Sequence, residues 1–253
     1  MKNKTKLFSV IILVGGKGTR FSNKKEPPKH LTKLNKNLIL INIINYIRNS
    51  GFKHFIFPLG SKKKFFINFF KSKKNQIKYK FEVIQKLNSE ILKSDKTYIS
   101  FFDAGESTKK LFRIYKSINK SKFDNFLVLY GDDIANVNLE KLVKKYSYFK
   151  KKKAIVTVYK KNSQYGHVKI NRNGKVIKFI EKPPHPLPIN IGFYLFSREI
   201  INKNFNKSLE LENHFLPKIS KKNLLESFEH KGYFYSINDK KELLTARKKL
   251  KKL

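Results

Sequence analysis

Six consecutive positions, Gly15-Gly16-Lys17-Gly18-Thr19-Arg20, carry residue types suited to holding a phosphate chain. They follow Leu13-Val14 at the end of an apolar run. Glycines there let backbone N–H groups crowd an anion without Cβ obstruction. Thr19 adds a hydroxyl, and Arg20 a planar fork that matches phosphate oxygens. The spacing is neither that of a Walker A loop nor the dinucleotide G-x-G-x-x-G, which argues against a P-loop ATPase and a dehydrogenase. Lys29 follows nine residues after Arg20, behind Pro28. Further on, Tyr130-Gly131-Asp132-Asp133 closes a second apolar run, where a carboxylate meets a ligand at the rim of a sheet. Mg²⁺ takes one or two such carboxylates and completes its octahedron with phosphate and water oxygens. The plainer alternatives are a tight turn with incidental charge, one more solvated lysine, and a simple Gly-Asp-Asp turn. The six histidines form no recognisable triad or ligand spacing, and with no cysteine the chain has no disulfide or thiolate metal site.

These residues need strands and helices to position them, and the pattern supplies both in alternation. Residues 7–14 and 126–130 are near-continuous apolar runs, as in strands covered on both faces. Further strands are expected at 54–59, 98–102 and 154–159, with helices at 38–48, 62–70, 108–118 and 139–149, the last capped by Asn138. Asn173-Gly174 joins residues 166–170 to 175–181 as a hairpin. Residues 190–196, 224–230 and 233–237 read as strands, and 240–253 as a closing basic helix. Alternating βα units predict a doubly wound, mainly parallel α/β sheet with ligands at the carboxyl ends of its strands.

Lys and Arg number 57 against 18 Asp and Glu, a formal charge of +39. Clustered cations would suit nucleic acid. Here lysine outnumbers arginine, Asn, Ile and Phe are abundant, and the charge is spread along the chain, with short runs at 62–64, 150–153 and 248–252. That is compositional drift rather than a binding stripe, and no specific nucleic-acid partner is expected. Attraction for small anions such as nucleotides follows either way. The apolar stretch at 7–14 is too short to span a membrane, and reads as a strand rather than a signal peptide. The absence of cysteine suits a cytoplasmic protein.

GGKGTR followed by PK resembles the signature of the sugar-1-phosphate nucleotidylyltransferases, and the resemblance runs from Val10 to about Arg247. Phe102-Asp103-Ala104-Gly105-Glu106-Ser107-Thr108 and the stretch from Tyr130 to Asn138 are similar to segments of the glucose-1-phosphate cytidylyltransferases. Gln164-Tyr165-Gly166, Glu181-Lys182-Pro183 and Asn190-Ile191-Gly192-Phe193 are similar to sugar-side motifs of the wider family. The resemblance implies a Rossmann-like nucleotidyltransferase domain over 1–253. A nucleotide-binding half would span about 7–137, a small β-rich sugar-binding half about 138–238, and a terminal helix about 239–253. It further implies a nucleoside triphosphate and a sugar 1-phosphate as partners, Mg²⁺ as cofactor, and transfer at the nucleotide α-phosphorus. The sugar phosphate is its own nucleophile, so catalysis is positioning plus charge neutralisation. A homo-oligomer is compatible with all of this.

By that likeness Arg20, Lys29 and Asp132 are catalytic. Leu13, Gly15, Gly16, Gly18, Thr19, Arg20, Thr108, Arg113 and Gly131 hold the nucleotide. Tyr165, Gly166, Glu181, Lys182 and Asn190 hold the sugar phosphate. The metal falls to Asp132, with Asn238 or Asp239 as second donor. Two departures stand out. Leu111-Phe112 occupies the place of a family Gly-Gly, and Asn238 that of a late metal-binding Asp. The expected reaction is CTP plus α-D-glucose 1-phosphate giving CDP-glucose and pyrophosphate. The alternatives are a guanylyl- or other nucleotidylyltransferase on a mannose- or heptose-type 1-phosphate, and a catalytically impaired relative that binds without turnover.

Overall fold

The computed structural model describes residues 5, 7–16, 18–23, 25–85, 95–149 and 153–251. Lys17 of the phosphate loop, most of the basic run at 150–153 and the last two residues of the expected terminal helix lie outside them. In chain order the elements are β1 (Phe8–Leu13), α1 (Ile39–Asn49), β2 (His54–Leu59), α2 (Lys63–Lys71), α3 (Lys73–Tyr79), β3 (Glu82–Val83) and β4 (Tyr98–Asp103). Next come α4 (Lys110–Lys120), β5 (Asn125–Tyr130), β6 (Asp133–Ala135), α5 (Leu139–Tyr148), β7 (Ala154–Tyr159), β8 (His167–Ile170) and β9 (Val176–Ile180). The chain closes through β10 (Ile189–Asn190), β11 (Tyr194–Ser197), α6 (Arg198–Asn204), α7 (Leu216–Lys221), β12 (Leu225–His230), β13 (Phe234–Ser236) and α8 (Lys240–Lys249). A 3₁₀ turn at Lys29–Leu31 and a π-helical turn at Leu211–Phe215 complete the set.

The main sheet runs β3-β4-β2-β1-β5-β11-β7-β12, with β10 also along β7. β1 pairs in parallel with β2 and β5, β2 and β3 with β4, and β12 with β7, whereas β11 runs antiparallel between β5 and β7. The sheet is therefore mainly parallel, with two reversed strands, β11 and the short β10. Side-chain alternation along the central strands explains their unbroken apolar sequence. Val10, Ile12, Leu127 and Leu129 face one core with α1, α2, α5 and α8. Ile11, Leu13, Phe126 and Val128 face the other with α4, α6 and α7.

The chain leaves β1 toward β2 and β4, then returns to β5 on the opposite side of β1. That reversal opens a crevice at the carboxyl ends of β1 and β5, where Gly131 N donates to the Leu13 carbonyl at 3.1 Å. A Cβ at Gly131 would lie 2.5 Å from Val14 Cγ1 and 2.9 Å from His30 Cδ2, so only glycine lets these strand ends close together.

Two local expectations change. The strand expected over 190–196 breaks into β10 and β11, because Gly192 and Phe193 both take left-handed backbone angles, φ 74° and 51°. The helix expected from Thr108 starts at Lys110, since the Thr108 hydroxyl donates back to the Ala104 carbonyl at 2.5 Å and holds a turn instead. The π turn had no periodic signal. The Asn173-Gly174 hairpin forms as β8–β9, and Asn138 caps α5 by accepting from the Lys141 N–H.

At the amino ends of β1 and β2, Ser9 Oγ lies 2.8 Å from both His54 Nδ1 and Ser121 Oγ, and burial pushes the His54 imidazole down to about 4. The folded protein keeps this ring neutral, while the unfolded chain protonates it near its ordinary value. Its contribution is full above pH 6.5 and is lost as pH falls toward 4, roughly 3 kcal/mol for such a shift. Urea unfolding at pH 7 and pH 4.5 should show lower stability in acid, with a shallower loss in His54→Gln.

Candidate active site

The crevice is a cleft of about 840 Å³, lined by Leu13, Gly15, Gly16, Gly18, Thr19, Arg20, Lys29, Thr108, Arg113, Asp132, Asn190 and Asn238, among others. Thus the phosphate-loop residues and the acid on the Gly131 turn, far apart in sequence, face one space. The Lys29 ammonium forms an ion pair with the Asp132 carboxylate, both side chains mostly buried. Lys29 comes from the 3₁₀ turn after Pro28, whose fixed φ of −66° leads into that turn.

Arg113 organises the loop from beneath. Its guanidinium donates to the carbonyls of Thr108 (2.9 Å), Pro58 (3.2 Å), Gly105 (2.7 Å) and Glu106 (3.1 Å), although the residue is only 4% exposed. A Cβ at Gly15 would fall 1.7 Å from Arg113 Nη1, and one at Gly60 would fall 2.4 Å from both terminal nitrogens. The planar cation is stacked into space that these glycines leave. Leu111 and Phe112, in the place of two family glycines, divide between the faces of α4. Leu111 is fully buried in the second core, and Phe112 stacks on Phe205 at 5.9 Å. The first turn of α4 is thereby anchored by packing.

Asn238 lines the cleft with its Nδ2 donating to Ser236 Oγ at 3.1 Å. Asp239 does not reach the cleft. Its carboxylate accepts from the Glu242 N–H at 2.8 Å and caps α8, a different use from the metal donor expected of it. Four of the expected sugar-side residues also stand away from the cleft lining. Tyr165 is 77% exposed, Gly166 lies against Phe179 and Glu181, and Glu181 and Lys182 pair with each other at 3.3 Å on the exposed hairpin arm. Only Asn190 of that group lines the cleft.

Several lining residues had no role assigned to them. Asp133 is 7% exposed. Burial raises its pKa and the Asp132 charge raises it further, against Ser236, Lys29 and Lys110. His30 is buried beside Gly131, its Nδ1 without a hydrogen-bond partner among the described residues, and burial lowers its imidazole to about 4. Glu212, on the π turn, accepts from Lys110 and Tyr130. Burial pushes this carboxyl up, but the two hydrogen bonds win and hold it below its ordinary range. Scarcity was the available signal. The chain has 18 acids, and five of them, Glu106, Asp132, Asp133, Glu210 and Glu212, line this one cleft.

Residues 9–250 match the family described as Nucleotidyl transferase. The chain belongs to that family. It is 30% identical over 252 residues to a probable glucose-1-phosphate cytidylyltransferase of Bacillus subtilis, covering 95% of both chains. It is 26% identical to a D-glycero-alpha-D-manno-heptose 1-phosphate guanylyltransferase of Aneurinibacillus thermoaerophilus, covering 96% of this chain and 98% of the other. Among solved structures, HddC from Yersinia pseudotuberculosis shares the fold, with a TM-score of 0.67 at 20% identity over 95% of this chain and 98% of that one. The nucleotidyltransferase fold is thus the doubly wound sheet described above. Among the described residues no helix is long and apolar enough to cross a membrane.

The Arg113 packing makes a sharp prediction. Gly15→Ala must push the guanidinium out of its carbonyl cage and should cost about 1–3 kcal/mol, as overpacking does. Gly16→Ala, whose Cβ would meet nothing within 4 Å, should stay within about 0.5 kcal/mol of the parent. Chemical denaturation of the two variants side by side measures the difference, and equal stabilities would contradict the packing account.

Proposed function

We propose that this nucleotidyltransferase joins a sugar 1-phosphate to a nucleoside monophosphate with release of pyrophosphate, and that its substrates are CTP and α-D-glucose 1-phosphate. The carrying observation is the convergence of the Gly15–Arg20 loop, Lys29 and Asp132 on one cleft at the ends of β1 and β5. The cytidine and glucose assignments are supported by the DAGEST and YGDD segments and by the Bacillus subtilis relative.

A phosphate oxygen of the sugar 1-phosphate, largely dianionic at neutral pH, attacks the nucleotide α-phosphorus. One P–O bond forms to the sugar phosphate, the bond to the β-phosphate bridging oxygen breaks, and pyrophosphate departs with its electron pair. No protein nucleophile or obligatory proton transfer is required. The loop N–H groups and Thr19 hold the triphosphate, Arg20 takes charge on the departing pyrophosphate, and Lys29 neutralises phosphate near the reacting centre. Asn190 meets the sugar. Tyr165, Gly166, Glu181 and Lys182 join the sugar phosphate if the hairpin arm approaches the bound substrate. Thr108 and Arg113 support the nucleotide through the loop they shape.

Mg²⁺ fits the donor set. Asp132 offers a carboxylate and Asn238 an amide oxygen in the same cleft, and this hard cation needs no more than one or two protein oxygens beside phosphate and water. When bound, it neutralises charge across the phosphates. The reaction belongs in the cytoplasm, where its triphosphate substrate is available.

Pyrophosphate release should be assayed with each of four nucleoside triphosphates against glucose, mannose and heptose 1-phosphates. Release with CTP and glucose 1-phosphate is expected; release only with GTP would replace this assignment by a guanylyltransferase. Asp132→Asn should abolish Mg²⁺-dependent turnover while leaving thermal unfolding cooperative. Arg20→Ala should lower kcat by about 10²–10³-fold, comparable to losing one preorganised charge-stabilising group.

A further inference from the structure

An unbroken run of polar contacts borders the cleft and, of the residues assigned to the substrates, contains only Asn190. Lys110 Nζ donates to Glu212 Oε1 at 2.5 Å and lies 4.9 Å over the Tyr130 ring. The same Glu212 oxygen accepts from the Tyr130 hydroxyl. Tyr130 Oη is 3.3 Å from Tyr194 Oη, which accepts from Asn190 Nδ2 at 2.6 Å. Asn190 Oδ1 in turn accepts from the Gly192 N–H at 2.9 Å.

The order of donors is forced. A carboxylate only accepts, so Tyr130 spends its single proton on Glu212. Tyr194 must then donate to Tyr130, which leaves its own oxygen to accept from the Asn190 amide. Asn190 is thereby held with Oδ1 on Gly192 and one Nδ2 hydrogen left for a ligand. The terminus of the run at Lys110 starts α4, two residues beyond Thr108, and lines the same cleft as the Gly15, Gly16, Gly18, Thr19 and Arg20 loop residues. Glu212 projects from a π-helical turn, an irregularity that is often kept at functional sites.

We propose that Glu212 is a positioning residue that serves both substrates through separate arms. One arm, through Tyr130 and Tyr194, orients the Asn190 amide toward the sugar. The other holds the Lys110 ammonium at the phosphates of the nucleotide. This rests on the assignment of the cleft to a nucleotide and a sugar 1-phosphate, and it adds residues that assignment does not contain.

The two arms can be cut one at a time. Tyr130→Phe removes the relay to Asn190 and leaves the Glu212–Lys110 pair. Glu212→Gln keeps an acceptor for the Tyr130 hydroxyl and discharges the pair. Calorimetry reads the dissociation constants of Mg²⁺-CTP and, with a non-hydrolysable CTP analogue present, of glucose 1-phosphate. Tyr130→Phe should weaken glucose 1-phosphate about tenfold and Mg²⁺-CTP less than twofold, and Glu212→Gln should do the reverse. Glu212→Leu should weaken both. If each variant weakens both ligands by the same factor, or neither, the two-arm role is wrong and Glu212 is only structural. A parent protein that shows the expected binding pattern without releasing pyrophosphate would leave the positioning role standing and overturn the catalytic reading. Binding of neither ligand by the parent would overturn both.

Discussion

The site depends on a buried cation that touches four backbone carbonyls. Arg113 ties the end of β2, through Pro58, to the turn at 105–108, and its guanidinium fills the space beneath Gly15. A buried charge is costly unless its donors are satisfied, and here backbone carbonyls from two segments accept from them, while the Asp103 charge favours the cation. The phosphate loop therefore rests on a plate whose shape is fixed by covalent planarity. Gly15 has two uses at once, lining the cleft on one side and admitting the plate on the other.

The central pairing of β1 with β5 gives that plate something to act on. Six registered residue pairs, from Phe8 with Asn125 to Leu13 with Tyr130, bring the loop after one strand and the acid after the other to the same rim. Helices on both faces hold the register, because a slip of one residue would exchange the two cores.

Much of this was legible in the sequence, for identifiable reasons. The central strands announce themselves because burial on both faces leaves no polar alternation, and the loop because glycine, threonine and arginine in that order have a local chemistry. Arg113 and Thr108 were recognised by position, but their inward role was not, since nothing in a sequence tells whether a guanidinium meets a ligand or a carbonyl. Asp239 illustrates the same limit, a carboxylate one residue from Asn238 that is used to start a helix. Glu212 lies on a turn with neither a period of 3.6 nor of 2, and the partners that give it meaning are 82 and 102 residues away. The hairpin was predictable from Asn173-Gly174, whereas its distance from the cleft is a tertiary fact. Net charge was the least informative quantity, because a chain of +39 still gathers five acids around one cavity.

The ion pair between Lys29 and Asp132 has a thermodynamic corollary. The ammonium engages one carboxylate oxygen, Oδ2, so a divalent ion that takes this same oxygen displaces the lysine from it and then has to tolerate it nearby. A polyphosphate arriving together with the ion offers the evicted ammonium a new counter-charge. Linkage makes such an exchange reciprocal: each visitor strengthens the hold on the other, and a bare ion competes poorly for the acid.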